Sequence, residues 1–252
     1  MSKHQWNYII FGALSLAFVY VYFFHSWSFW YWILLLLVWF SIVVYGSFSI
    51  RANYHLIAVN KLKTNSLQVA LTFDDGPTPF TNDVLDILKS YQVKATFFCI
   101  GSQIELCPEI FQRIVAEGHA VGNHTYSHHR DMGFKSTKQL IVEIEQTNAL
   151  IEKHSGRRSS LFRPPFGVTN PKFRSALEKT KMLTIGWTIR SLDTVINDES
   201  KILKRIEKSL APGSIILLHD TSDRTVQVLA RLLKNLAELK YECVLIEPNV
   251  KL

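Results

Sequence analysis

Five clusters of reactive side chains punctuate the 252-residue chain. Asp74-Asp75-Gly76-Pro77 sets two carboxylates side by side, so that one could bind a cation while the other accepts a proton. The same four residues also make an ordinary turn, because Asp caps and Gly bends. His124-Thr125-Tyr126-Ser127-His128 spaces two imidazoles four residues apart, which on a helical turn would share a face. Two neutral imidazoles and one carboxylate make a three-ligand zinc site with a position left for water. Surface His pairs are common, however, and the adjacent His129 competes for the assignment. Arg163-Pro164-Pro165-Phe166-Gly167 fixes a guanidinium in a rigid bend, suited to gripping a carboxylate, with the Phe166 N–H available to a developing oxyanion. Trp187 and Asp193 read singly as a core residue and a loop acid. His219, at the end of an apolar run, is either a packed side chain or a proton donor.

The surrounding pattern supplies the elements. Gln68–Phe73, Lys94–Ile100, Met182–Ile189, Ser214–Leu218 and Tyr241–Ile246 are short apolar runs that predict buried strands. Amphipathic stretches separate them, over 83–90, 108–117, 137–153, 171–179 and 225–239, several opened by a Ser, Thr or Asn cap or by Pro. Alternating strands and helices predict an α/β fold with a mostly parallel sheet, open or closed into a barrel, whose chemistry collects at the carboxyl ends of strands. Asp74-Asp75 and His219 directly follow two of these runs, while His124 and Arg163 follow the shorter runs Gly118–Gly122 and Leu161-Phe162.

The first fifty residues are a different material. No Asp, Glu, Lys or Arg occurs between Lys3 and Arg51, and five of the six Trp lie within the first 39 positions. Two apolar runs, about 8–24 and 29–48, are each long enough to cross a bilayer, and the polar link 25–28 is short. The expectation is a membrane anchor over 1–50 built as a helical hairpin, a linker over 51–66, and a catalytic domain over 67–252. A cleaved signal peptide fits less well, because the apolar stretch is too long and lacks a small-residue cleavage site. Lys3, Arg51, Lys61 and Lys63 flank the hairpin and favour a cytoplasmic domain, but a handful of charges is a weak bias. The face therefore stays open. Net charge is +7 without any dense basic block, which speaks against a nucleic-acid partner. Three scattered Cys carry neither disulfide nor zinc spacing.

Taken together, Thr72-Phe73-Asp74-Asp75-Gly76-Pro77, His124 to His128, Arg163 to Gly167, Trp187 through Asp193 and Leu217-Leu218-His219 resemble the motifs of NodB-homology polysaccharide deacetylases, carbohydrate esterase family four. The resemblance covers roughly Leu67 to Ile246. It implies a distorted (β/α) barrel with fewer than eight repeats and a divalent metal, usually Zn2+. By position, Asp75, His124 and His128 resemble the metal ligands and Asp74 the catalytic base. Arg163 resembles the residue holding that base, with Asp193 supporting the Arg. His219 resembles the general acid, Leu217 and Trp187 pocket walls, and Phe166 the oxyanion donor through its backbone. Two departures stand out: Asp193 is followed by Thr194 where the family often has Trp, and Arg190 occupies a position that is often acidic.

The implied activity is hydrolysis of N-acetyl groups on amino sugars of a polysaccharide such as peptidoglycan or an N-acetylglucosamine polymer, with carbohydrate and the lipid bilayer as partners. A lipid-linked amino sugar is the alternative substrate, and an inactive membrane-tethered sugar-binding protein the alternative of another class.

Overall fold

The computed structural model describes residues 1–246; the last six positions of the expected domain lie outside the described residues. The chain opens with two antiparallel helices, α1 (Lys3–His25) and α2 (Trp30–Phe48). Helix α1 starts five residues before the apolar run does, because Ser2 and Gln5 cap it reciprocally. Tyr8 and Phe11 pack on Trp39 of the second helix, while the outer faces of both leave Leu, Ile, Phe and Trp side chains exposed. At 1.5 Å per residue, the 23 residues of α1 reach about 35 Å, long enough to cross a bilayer core of about 30 Å.

The remainder alternates strand and helix: β1 (Gln68–Asp74), α3 (Pro79–Ser90), β2 (Thr96–Cys99), α4 (Gly101–Leu106), α5 (Pro108–Ala116), β3 (Ala120–Asn123), α6 (Thr137–Ser155), β4 (Leu161–Phe162), α7 (Pro171–Thr180), β5 (Leu183–Thr184), β6 (Ile189–Arg190), α8 (Glu199–Lys208), β7 (Ile215–His219), α9 (Asp223–Glu238) and β8 (Glu242–Cys243). Seven strands form a curled parallel sheet in the order β5-β4-β3-β2-β1-β7-β6, with β8 added beside the start of β1. The helices cover its outer face. This is the distorted, incomplete barrel implied by the resemblance. Its strands are apolar on both faces because helices bury one side and the barrel interior the other. The three cysteines are unpaired.

Several elements depart from expectation. Helix α3 begins at Pro79, since Thr78 and Thr81 close a cap there. The run Met182–Ile189 is split into β5 and β6, and between them the backbone carbonyls of Ile185 and Gly186 face a buried guanidinium. Neither β3 nor α8 is among the predicted elements: β3 is four residues with Gly in its middle, whereas α8 does carry an apolar stripe, Ile202, Leu203 and Ile206, among its charges. Gly122 of β3 is needed for a close approach, as a Cβ there would sit 2.4 Å from the Phe98 ring.

Hairpin and barrel are docked. The amide of His4 donates to Tyr54 O, Lys3 Nζ to Ala52 O, and the Thr169 amide to Ser47 O. Parallel register places Asp74 directly beside His219 across β1 and β7, so the first and last reactive clusters meet at one strand end.

Candidate active site

A hollow of about 170 Å³ at the carboxyl ends of the strands is lined by Asp74, Asp75, His124, His128, Phe166, Leu217 and His219, together with Trp187, Arg190 and Thr194. Residues separated by up to 145 positions converge there only because the sheet is parallel.

Arg163 is fully buried, and its planar donors fix the base of the site. Nη1 donates to Asp74 Oδ1 (2.7 Å) and Thr72 Oγ1 (2.8 Å), Nε to Ile185 O (3.2 Å), and Nη2 to Gly186 O (2.9 Å). The guanidinium lies 4.0 Å above the centre of the Phe98 ring. Asp74 is thereby held by one oxygen, and its Oδ2 lies 3.8 Å from His124 Nε2.

Asp75 Oδ1 stands 3.4 Å from Nε2 of both His124 and His128. The potential ligand atoms of these three residues lie within 4.8 Å of one another. His124 Nδ1 donates to Arg163 O (2.7 Å), which fixes the ring with Nε2 turned inward. The two imidazoles do not share a helical turn, as their spacing suggested. Residues 124–128 are an irregular loop in which Thr125 and His128 take left-handed backbone conformations, and Asp75 does the same at the other wall. His129 is exposed and pairs with Asp131 instead. Burial opposes ionisation of Asp75, but the adjoining imidazoles outweigh it and hold the carboxyl far below its usual value. Burial likewise works against a charged His128, with His124 adding to it, and pulls it down to about 4.

Asp193 corrects the sequence reading. It does not support Arg163; its Oδ1 accepts from His219 Nδ1 (2.8 Å) and Ser191 Oγ (2.8 Å), its Oδ2 from the His219 amide and Thr225 Oγ1 (both 2.8 Å). Burial disfavours a charged His219, yet the bond and charge of Asp193, with Asp74 and Asp75 behind it, raise the imidazole to about 9. Ser191 and Thr225 went unread because a single hydroxyl carries no local signal.

Phe166 has a left-handed backbone (φ 60°), and among the described residues its amide, unlike those of Gly167 and Val168, has no hydrogen-bond acceptor. Gly167 is required beside it, since a Cβ would come within 2.4 Å of Trp187. Leu217 and Trp187 form the apolar wall. Glu143 of α6 was also missed. It accepts from the Tyr126 and Ser127 amides and the Ser127 hydroxyl, and so pins the loop between the two histidines. Its signal was present: Glu143, Thr147 and Asn148 interrupt the buried stripe of an otherwise amphipathic helix.

The His219–Asp193 pair makes stability depend on pH with a definite sign. A histidine raised from 6.5 to about 9 stabilises the fold fully below about pH 6.5, and that contribution is lost as pH rises through about 9. Asp193→Asn should return the His219 midpoint towards 6.5, read by NMR on the metal-free protein. A wild-type midpoint already near 6.5 would show that the pair does not hold the proton.

The family model described as polysaccharide deacetylase matches residues 61–185. The peptidoglycan-N-acetylmuramic acid deacetylase PdaC of Bacillus subtilis is 35% identical over 198 residues, covering 77% of this chain but only 42% of its own length. Its solved structure superimposes with a TM-score of 0.68 at 36% identity over 72% of this chain and 89% of that one. A chitooligosaccharide deacetylase of Bradyrhizobium is 30% identical over 77% of this chain and 93% of its own. A CE4 family pseudoenzyme of Bacillus anthracis superimposes with a TM-score of 0.69 at 27% identity, over 74% of this chain and 66% of that one. The chain thus spans about two fifths of the length of the first curated relatives, yet nearly all of the Bradyrhizobium protein. Fold, motif geometry and these matches agree: the chain belongs to the polysaccharide deacetylase family.

Proposed function

We propose that the chain is a metal-dependent hydrolase that removes N-acetyl groups from amino sugars of a peptidoglycan- or chitin-like glycan, tethered to the bilayer by α1 and α2. The observation that carries this reading is the meeting of Asp75, His124 and His128 in one hollow, flanked by Asp74 and His219. One carboxylate and two imidazoles are the donor set of a catalytic zinc site, and their mutual spacing fits a single ion. When bound there, a divalent cation, zinc foremost, supplies Lewis acidity and makes a water more acidic.

The protein side chains then divide the remaining work. Asp74, fixed through Oδ1 by Arg163, presents Oδ2 to take a proton from the attacking water. Phe166 N–H is free to donate to the oxygen that gains negative charge. His219 holds its proton at neutral pH on a ring anchored by Asp193 through Nδ1, leaving Nε2 to protonate the departing amine. Leu217 and Trp187 would take the acetyl methyl. Thr194 leaves that wall wider than a Trp would, which accommodates a bulkier substrate. An inactive sugar-binding role is opposed by the complete set of groups in working geometry.

The outward apolar surface of α1 and α2 supports the membrane assignment, and Lys3 and Arg51 at its two ends suit a headgroup zone.

Full-length protein loaded with zinc should release acetate from N-acetylated chitooligosaccharides or peptidoglycan fragments. His219→Ala should retain the metal and lose roughly 10²–10⁴-fold in rate. His124→Ala should lose the metal itself, measured by elemental analysis after dialysis. Full activity in the first variant, or unchanged zinc in the second, would contradict the assigned roles. For the hairpin, reporters at the N-terminus and after Ile246 should label from one membrane face and a cysteine at Ser26 from the other. Labelling of all three from one face would refute the crossing.

A further inference from the structure

A second cavity, of about 320 Å³, adjoins the catalytic hollow. Trp187 and Arg190 line both. The far wall of the second cavity is Phe48 to Arg51, where the chain leaves α2 and enters the barrel domain. Three arginines line it, Arg51, Arg190 and Arg205, and among the described residues the lining contains no acid. Among the described residues, none of the three has a carboxylate within the 4.0 Å of an ion pair.

Two of these guanidinium groups are held in place by neutral partners. Arg51 Nη1 donates to Thr188 O (3.2 Å), and Arg205 Nε donates to Arg190 O (2.8 Å). Each such bond uses one of five donors and leaves the charge unanswered. Three like charges around one small cavity repel, and an anion placed between them would remove the penalty. Arginine forks fit phosphate oxygens in pairs, and Ser49 and Ser209, which also line the cavity, add neutral hydroxyl donors.

The position of the cavity narrows the ligand. It lies between the hollow that would take an acetamido sugar and the end of a helix whose outer face suits lipid chains. An amphiphile with its chain along α2 and its sugar at the catalytic groups would carry its phosphate through this pocket. We infer that the Arg51–Arg190–Arg205 cavity binds the phosphate or diphosphate joining an N-acetylamino sugar to a membrane lipid, so that the substrate glycan is still attached to its lipid carrier. This rests on the deacetylase reading above and gives the unusual Arg190 a purpose: an acid at that position would repel the same group.

The test uses the full chain in phosphatidylcholine nanodiscs, with binding measured by calorimetry on metal-free protein. The probes are prenyl diphospho-N-acetylglucosamine, the neutral prenyl N-acetylglucosaminide, and uridine diphospho-N-acetylglucosamine. The lipid-linked diphosphate should bind at least tenfold tighter than either other probe. Arg51→Gln and Arg205→Gln should each weaken it roughly tenfold, and the Arg→Lys variants, which keep the charge but lose the fork, less than that. Equal binding of the neutral probe, or indifference to both Gln variants, would overturn the pocket. Equal binding of the uridine sugar would overturn the lipid source in favour of a soluble nucleotide sugar. Acetate release by zinc-loaded protein separates the two levels. Arginine-dependent binding without acetate from any probe or chitooligosaccharide sinks the deacetylase reading and leaves the pocket standing. Release with no preference for the diphosphate and no dependence on Arg51 or Arg205 sinks the pocket and leaves the reaction standing.

Discussion

The buried pairing of Arg163 with Asp74 is the constraint on which the rest of the site depends. A fully buried guanidinium is tolerated only when its donors and its charge are both answered, and here four acceptors from two segments answer them. Those acceptors lie on β1 and in the stretch between β5 and β6, while Arg163 itself directly follows β4 and stacks on Phe98 of β2. One side chain therefore ties four strand ends into a fixed rim. Removing one partner of such a pair costs of order 3–5 kcal/mol, because an uncompensated charge is left inside. Lysine could not substitute, since a single ammonium cannot reach the Ile185 and Gly186 carbonyls and Asp74 together. The same residue orients His124 through its own carbonyl, so Asp74 and the Asp75–His124–His128 cluster share a single anchor.

Four carboxylates crowd this rim, and their surroundings separate them. Asp193 accepts four hydrogen bonds, which overcome its burial and keep it ionised as the partner of His219. Asp75 faces two imidazoles and open space. Asp74 answers the arginine. Asp220, buried beneath the Gly76 turn with Thr81 as its side-chain partner, is pushed up to about 7, chiefly by burial. A glycine at 76 is required, because a Cβ would meet the Asp220 carboxyl at 2.2 Å. The Asp-Asp-Gly-Pro segment is consequently a turn that also presents its two carboxylates to the hollow.

Much of this was legible in the residues. The alternation of apolar runs and capped helices gave the parallel sheet, and the reactive types all fell just past strands, where such sheets place their chemistry. The three residues Asp75, His124 and His128 do converge. What escaped was whatever depended on backbone outside the helix and strand regions or on partners remote in sequence. The His124–His128 spacing suggested a helical turn, whereas left-handed residues at Thr125 and His128 bring the rings together. Asp193 was assigned to the wrong partner because nothing local distinguishes an acid beside an arginine from one beside a histidine on the next strand. Glu143 could have been found as a charge on a helix face that periodicity marks as buried. Thr72 and Thr225 could not.

The most direct measurement is anomalous diffraction at the zinc edge from crystals of the full-length protein grown with zinc. The arrangement predicts one strong peak within about 2.0–2.2 Å of Nε2 of His124 and of His128 and of a carboxylate oxygen of Asp75, with Asp74 and His219 facing it from either side. A zinc peak elsewhere on the protein, or a well-ordered site with all three side chains in place and no peak between them, would contradict it.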